Sequence, residues 1–140
     1  MQASRQRGVG LIEVLIAIVV VALGVLAIIR MQTNMVKANQ SALLRSQATF
    51  LVYDMADRLR VDRQSAITGL YDRAFDDELP AAGISVVGTE TRDWLERIAD
   101  VLPAGEGAVA SNGVQATVSV RWDDSRGDQA LEIFSMTTEL

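Results

Sequence analysis

The sequence predicts an α+β protein in which a long N-terminal helix packs on a small three-stranded antiparallel sheet, beside a short second helix. Three observations lead to this fold class. The chain has 140 residues, which allows one small domain. Residues 9–62 contain no proline, and the last third of the chain alternates apolar and polar residues with a period of two. A small sheet of this kind needs a helix to cover its apolar face.

The first half of the long helix, residues 9–30, is apolar enough to span a membrane. Residues 14–29 carry no charge, and extension back to Leu11 gives nineteen residues interrupted only by Glu13. At the helical rise of 1.5 Å these nineteen residues cover about 28 Å, close to the thickness of a bilayer hydrocarbon core. Two arginines precede the segment, so the positive-inside rule predicts a cytoplasmic N-terminus and export of the remainder.

The second half of the helix, residues 31–66, is predicted to be amphipathic. Its apolar residues recur at spacings of three and four, the pattern of a helix with one buried face. This stripe should pack on the sheet, and it consists of Leu44, Ala48, Leu51, Met55 and Leu59. Asp54 and Arg58 lie off the stripe as a favourable i,i+4 pair. Gly69 is a plausible stop for the helix.

Residues 67–140 are expected to form a small αβ portion. Residues 69–90 are predicted to be a loop, because they combine an acidic run with Pro80 and Gly83. A short helix is predicted over residues 92–102, with Thr91 as its N-cap and Pro103 just beyond its end.

The sheet is predicted from the C-terminal third. Residues 114–122 alternate as a half-buried strand, and Asn112-Gly113 is a strong hairpin signal that pairs it with a short strand near residues 108–111. A last strand is predicted over residues 130–137, although the pattern leaves open which of its sides faces the core. The two tryptophans, Trp94 and Trp122, are expected in the core.

Charge and composition exclude several functions. Residues 1–50 carry five basic residues and one acidic residue, whereas residues 51–140 carry eight basic and seventeen acidic residues. An acidic body disfavours nucleic acid as a partner. The chain has no histidine and no cysteine, which excludes Ser-His-Asp and Cys-His catalysis, His or Cys zinc sites, and disulfides. No phosphate-binding glycine loop occurs either. We therefore expect no catalytic residue, no cofactor and no metal.

Three acidic motifs are interpreted as surface turns. The run Asp76-Asp77-Glu78 is expected to be a solvated loop. Asp123, Asp124 and Asp128 lack the spacing of an EF-hand, and turns favour aspartate, so calcium is the less favoured interpretation. Residues 126–128 spell Arg-Gly-Asp, which as a three-residue match within a turn carries little weight.

Three interpretations of the N-terminus compete. A cleaved secretory signal fits the basic start, but the apolar run is long and reaches Arg30 without a small-x-small cleavage site. An ordinary signal anchor fits the length and orientation, but it gives no reason for Glu13, whose carboxylate is costly in apolar surroundings unless it is near the interface, protonated or paired. The third interpretation provides a partner for this acid.

Residues 5–15, which read Arg-Gln-Arg-Gly-Val-Gly-Leu-Ile-Glu-Val-Leu, resemble the class III signal of type IV pilins and type II secretion pseudopilins. The resemblance implies that residues 1–8 are a leader, that a prepilin peptidase cuts between Gly8 and Val9, and that the new amino terminus of Val9 is methylated. Glu13 would then be the fifth mature residue, where the family places its glutamate. The sequence departs from the family at Val9, because the first mature residue is usually phenylalanine.

Within this superfamily the chain looks like a minor pilin of the PilV type. The resemblance rests on residues 10–15, 54–60, 94–103 and 118–123. It implies a pilin-like fold and a subunit that acts with other minor pilins and the major pilin in priming the type IV pilus at its tip, supporting pilus biogenesis and twitching motility. Further implied partners are the prepilin peptidase and the inner-membrane pilus assembly machinery. The implied location is the inner membrane, with a periplasmic C-terminal portion, and then the filament.

In the mechanism that suits these residues, the Glu13 carboxylate of one subunit meets the Val9 ammonium of another. Two charges that are costly alone in a low-dielectric environment become tolerable as a pair, and the pair fixes the axial register. Other interpretations stay open: a type II secretion pseudopilin, a pilin of a DNA-uptake filament, or, from another class, a single-pass anchored periplasmic domain that never polymerises.

Overall fold

The computed structural model of the chain describes residues 10–81, 83–125, 127 and 130–140. Its elements are helices α1 (Leu11–Val61), α2 (Arg63–Ile67) and α3 (Val86–Val101) and strands β1 (Glu106–Asn112), β2 (Gln115–Trp122) and β3 (Glu132–Glu139). The expected α+β architecture is confirmed. The chain divides after Gln40 into two compact units, called here the N-terminal segment (up to Gln40) and the head (Ser41–Leu140).

Helix α1 has 51 residues, close to the predicted span of residues 9–62. Its apolar first part is followed by an amphipathic part whose buried residues lie in the head. They are Ala48, Leu51, Val52, Met55, Ala56 and Leu59. The predicted stripe is therefore buried, apart from the partly buried Leu44 at its start. The predicted pair is also present, because the Arg58 Nη2 atom lies 3.2 Å from Asp54 Oδ2.

The chain leaves α1 through a second short helix that the sequence pattern did not separate from the first. Asp62 caps α2 with its side chain, which accepts a hydrogen bond from the Ser65 backbone N–H at 3.4 Å. Gly69 follows α2 with φ of +75°, a left-handed conformation in which glycine has no steric penalty. The predicted stop at Gly69 thus marks the end of α2 and not that of α1.

The prediction for α3 is wrong at its N-terminus. The helix begins at Val86, six residues before the predicted start, and its N-cap is Ser85, whose Oγ accepts a hydrogen bond from the Gly88 N–H at 2.9 Å. Thr91, the predicted cap, is buried inside the helix. The first turn contains two valines and a glycine, residues of low helix propensity, so the cap and the packing of the later turns outweigh local preference.

The sheet has the order β1-β2-β3 and is antiparallel throughout. The predicted hairpin is confirmed: Asn112 pairs with Gln115, and Gly113 has φ of +64°. β1 is longer than predicted at both ends, and β3 begins and ends two residues later than predicted. The side of β3 that faces the core carries Phe134, Met136 and Thr138, which settles the question that the pattern left open.

One buried cluster joins the amphipathic part of α1, the α3 helix and the inner face of the sheet. Trp94 and Trp122 are both in it, as predicted. The Trp94 indole N–H donates to the Leu51 carbonyl at 2.9 Å, which ties α3 to α1 while satisfying a buried polar group.

Candidate functional site

The most unusual surface of the molecule is the apolar N-terminal segment. Its large apolar side chains are exposed from Leu11, at 87%, to Ile29, at 51%, whereas those of the head's core are almost fully buried. Within the described part of the chain, α1 is the helix long and apolar enough to cross a membrane. Exposed apolar surface on this scale is stable only when lipid or another apolar surface covers it.

Glu13 lies in the first turn of α1, at the start of this surface. Its backbone N–H donates to the Gly10 carbonyl at 3.0 Å, so the residue is already part of the helix. A carboxylate in a first helical turn interacts favourably with the unsatisfied N–H groups there. The residue is exposed, and no residue in the described ranges forms an ion pair with it. Its charge is therefore available for a group outside the described chain.

The predicted cleavage site at Gly8 and Val9, and with it the predicted methylation of Val9, lies outside the described residues. The structure accordingly places one of the three predicted site residues, Glu13. It sets this residue in the first turn of α1, at the N-terminal end of the apolar segment.

Two acids of the predicted run, Asp76 and Asp77, form contacts within the head. Asp76 and Glu106 both pair with Arg121, whose guanidinium also lies 4.6 Å from the centre of the Phe75 ring. The hydrogen bond from Arg121 to the Glu106 carboxylate is the main reason that the pKa of Arg121 is raised. Asp77 Oδ2 accepts a hydrogen bond from the Ala74 N–H at 2.6 Å. These contacts fix the loop against the sheet.

No group of three or more acidic side chains arranged to hold a metal ion occurs among the residues that the structure describes. Of the turn residues weighed for calcium, Asp123 uses Oδ1 to accept a hydrogen bond from the Ser125 N–H at 2.8 Å, a turn contact. Asp128, and with it the Arg-Gly-Asp tripeptide, lies outside the described residues.

An open cleft of about 320 Å³ lies in the head between the loop after α2 and the N-terminal turns of α3. Its cation, Arg73, already donates to the carbonyls of Gly107 at 3.1 Å and Asp77 at 2.9 Å. Beside the cleft, the buried Tyr71 hydroxyl donates to Glu90 Oε2 at 2.9 Å, and burial raises the pKa of Tyr71. Sequence reasoning missed these contacts, because most of them join residues far apart in the chain.

Residues 3–29 match the family model of the prokaryotic N-terminal methylation motif. The matched stretch contains Gly8, Val9 and Glu13 together with most of the apolar segment. The match supports a type IV pilin-like or pseudopilin protein that is anchored in a membrane, and the family of this motif is structural. No curated protein and no solved structure matches the chain.

Proposed function

We propose that this protein is a minor pilin of the PilV type, a subunit that takes part in priming and assembling a type IV pilus. The observation that carries the proposal is the methylation motif, which continues into a helix with an exposed apolar surface and an exposed carboxylate in its first turn. The absence of cysteine from the sequence supports a minor subunit, because most major pilins have a C-terminal cysteine pair that bounds a loop.

In this proposal the chain is first a membrane protein. The apolar segment holds it in the inner membrane with the leader in the cytoplasm and the head in the periplasm. A prepilin peptidase then cuts between Gly8 and Val9 on the cytoplasmic side and methylates the new amino terminus. Gly8 suits this step because glycine lets a protease cleft approach the backbone closely.

Assembly then depends on Glu13. Once the leader is removed, the Val9 ammonium of one subunit and the Glu13 carboxylate of a neighbour form an ion pair among packed apolar helices. Each charge alone would be strongly unfavourable there, so a subunit that is out of register is rejected. The apolar side chains exchange lipid contacts for helix contacts, an exchange that is close to balanced and therefore reversible.

The first test is mass spectrometry of the N-terminal peptide, taken from membranes of cells with and without the prepilin peptidase. The proposal predicts a mature chain that starts at methylated Val9 when the peptidase is present, and an intact leader when it is absent. A chain that keeps Met1 in both strains, or that starts beyond Ile29, contradicts the proposal.

The second test removes the carboxylate. Glu13→Ala is expected to leave membrane insertion intact and to abolish incorporation into fibres, measured by immunoblotting of sheared filaments. Glu78→Ala, which removes an exposed acid from the head, is the matched control and should incorporate as wild type. A domain that never polymerises would be absent from the sheared filaments in every variant, the wild type included.

The proposal separates a pilus subunit from a pseudopilin or a DNA-uptake pilin by its partners. We expect the chain to co-purify with other minor pilins and with the major pilin of a surface fibre. Co-purification with a secretion apparatus alone would assign it to the pseudopilins instead.

A further inference from the structure

The two edges of the sheet differ in how their backbone groups are satisfied. At β1, Val109 exchanges two backbone hydrogen bonds with Arg73, at 2.8 and 3.1 Å. On either side of this bridge, the Arg73 Nε donates to the Gly107 carbonyl at 3.1 Å, and Asp72 Oδ1 accepts from the Ser111 N–H at 2.8 Å. The β1 edge is therefore capped, in the way that proteins protect edge strands from pairing.

The same contacts determine which backbone groups of β3, at the opposite edge, point out of the sheet. The backbone N–H and C=O groups of Val109 point away from β2, so those of its neighbour Ala110 point toward β2, where Ala110 pairs with Thr117. The next residue of β2, Val118, therefore points toward β3 and its partner Met136. It follows that the outward backbone groups of β3 belong to the alternate residues, which are Ile133, Ser135 and Thr137.

These outward N–H and C=O groups have no hydrogen-bond partner among the residues that the structure describes. The middle of the β3 edge also lacks the usual protective residues, since residues 133–138, Ile-Phe-Ser-Met-Thr-Thr, include no proline and no charged side chain. The edge is thus open over most of its length, while the other edge of the same small sheet is closed.

The side chains along this edge define what fits beside it. On the inner face Phe134 and Met136 are only half-buried, so a neighbouring strand with apolar side chains would complete the core margin. On the outer face Ser135 and Thr137 form hydroxyl contacts with Ser119 and Thr117, at 2.8 and 2.9 Å, and favour small polar neighbours.

Charge distinguishes the two ends of the edge. Glu132 is already paired with Arg45, with the Arg45 Nη2 atom 3.1 Å from its carboxylate. Glu139, at the other end, is exposed and forms no ion pair with any residue in the described ranges. A strand that fits the edge therefore carries a basic residue opposite Glu139.

We propose that the β3 edge is a docking site for an extended strand of a different subunit, with alternating apolar and small polar residues and a basic residue beside Glu139. The strand would pair with the outward backbone groups of Ile133, Ser135 and Thr137, as in β-strand addition. The assignment of the partner as a fellow subunit rests on the proposed function, whereas the open edge itself does not.

The first experiment asks whether the edge binds a strand at all. The probe is the peptide Lys-Val-Thr-Val-Thr-Val-Thr, whose lysine lies beside Glu139 when the peptide pairs antiparallel to β3, as the other strands of the sheet do. It is added to the purified full chain in detergent, with a copy carrying glutamate in place of lysine as the charge control. We expect amide hydrogen exchange at Ser135 and Thr137 to slow at least about tenfold with the lysine peptide and less with the glutamate peptide. Unchanged exchange with both peptides would overturn the proposal.

The second experiment tests the edge in cells that assemble fibres. Ser135→Pro removes one outward N–H. An edge strand tolerates proline at such a position, so the variant should fold but should reduce incorporation at least about tenfold. Ser135→Ala keeps the backbone N–H and removes only the hydroxyl, so its loss of incorporation should be clearly smaller than that of Ser135→Pro. Ile133→Lys adds a charge to the edge without altering the backbone and should also reduce incorporation. It serves as the test if the proline variant fails to fold.

The remaining outcomes separate this inference from the proposed function. If Glu13→Ala abolishes incorporation while Ser135→Pro, folded, and Ile133→Lys both incorporate normally, the edge proposal fails and the proposed function stands. If Glu13→Ala has no effect on incorporation but the peptide protects Ser135, the edge proposal stands and the proposed function fails. Slow exchange at Ser135 in the purified chain without peptide would show pairing between copies and overturn the assignment to a different subunit.

Discussion

The N-terminal segment and the head use the same apolar residue types in opposite ways. In the segment, every described residue from Gly10 to Gln40 is exposed, whereas in the head Val52, Val118 and Val120 have no exposed surface. The difference lies in arrangement: apolar residues surround the first part of α1 on all sides, but occupy one face of each element in the head. Hydrophobic content alone therefore does not make a core; an apolar surface needs a facing partner within the chain.

The largest effect expected from this comparison comes from a change in the head's core. Trp94→Ala removes a side chain with no exposed surface and its hydrogen bond to the Leu51 carbonyl. We expect it to lower the free energy of unfolding of the head by about 3–5 kcal/mol, the range for large aromatic residues replaced by alanine. Urea unfolding of the chain in detergent, followed by tryptophan fluorescence, measures the loss, with Trp122 as the remaining reporter in the variant.

Val114→Ala is the matched control, because Val114 is an apolar residue of the head that is 57% exposed. Its expected change is within about 0.5 kcal/mol, as for other surface substitutions. Equal losses for Trp94→Ala and Val114→Ala would show that burial in the head does not determine its stability, and the comparison would fail.

Two glycine-to-alanine variants, one in each region, test the same comparison with a smaller expected change in stability. A Cβ added at Gly107 would collide with the Trp94 ring, so Gly107→Ala must displace a buried tryptophan and should destabilise the head by about 1–3 kcal/mol. At Gly24, in the apolar segment, no atom of the described residues other than the neighbouring backbone of α1 itself lies within 4 Å of the added Cβ. Gly24→Ala should therefore cost nothing and favour the helix.

Unfolding midpoints of the two alanine variants, measured in the same detergent, test this difference. A loss of stability at Gly24→Ala as large as that at Gly107→Ala would mean that the segment has tight internal packing that its exposure does not indicate. Such packing would remove the reason to expect helix partners from outside the chain.

The sequence predicted the features that depend on local patterns. The long helix follows from an uninterrupted run without proline, and the hairpin follows from Asn112-Gly113, whose second residue adopts a positive φ. The early start of α3 was not predictable in the same way. Ser85 is one of several residues able to cap a helix there, and the choice among them depends on how Trp94 and Ile98 pack, which is long-range information.

The functional features of the molecule also divide into those that are local in the chain and those that depend on contacts between distant residues. The methylation motif and Glu13 are local in the chain, so the order of the residues alone is enough to predict them. The cap on the β1 edge joins Arg73 to Val109, residues 36 positions apart, and no periodicity indicates it. The open edge at β3 becomes visible only when the register of all three strands is known.

The smallest expected effect concerns pH and a buried contact within the head. Burial and the hydrogen bond to Glu90 raise the pKa of Tyr71 above its ordinary value of 10. The unfolded chain therefore loses this proton near pH 10 while the folded chain keeps it, so stability is unaffected below pH 10 and falls as the pH rises above it. Tyr71→Phe should lower stability by roughly 1 kcal/mol at pH 7 and reduce the decline between about pH 10 and 11. Thermal unfolding of both proteins over this pH range tests the point. Both proteins keep Tyr53 and Arg73, so equal slopes of stability against pH would show that Tyr71 is not the responsible group.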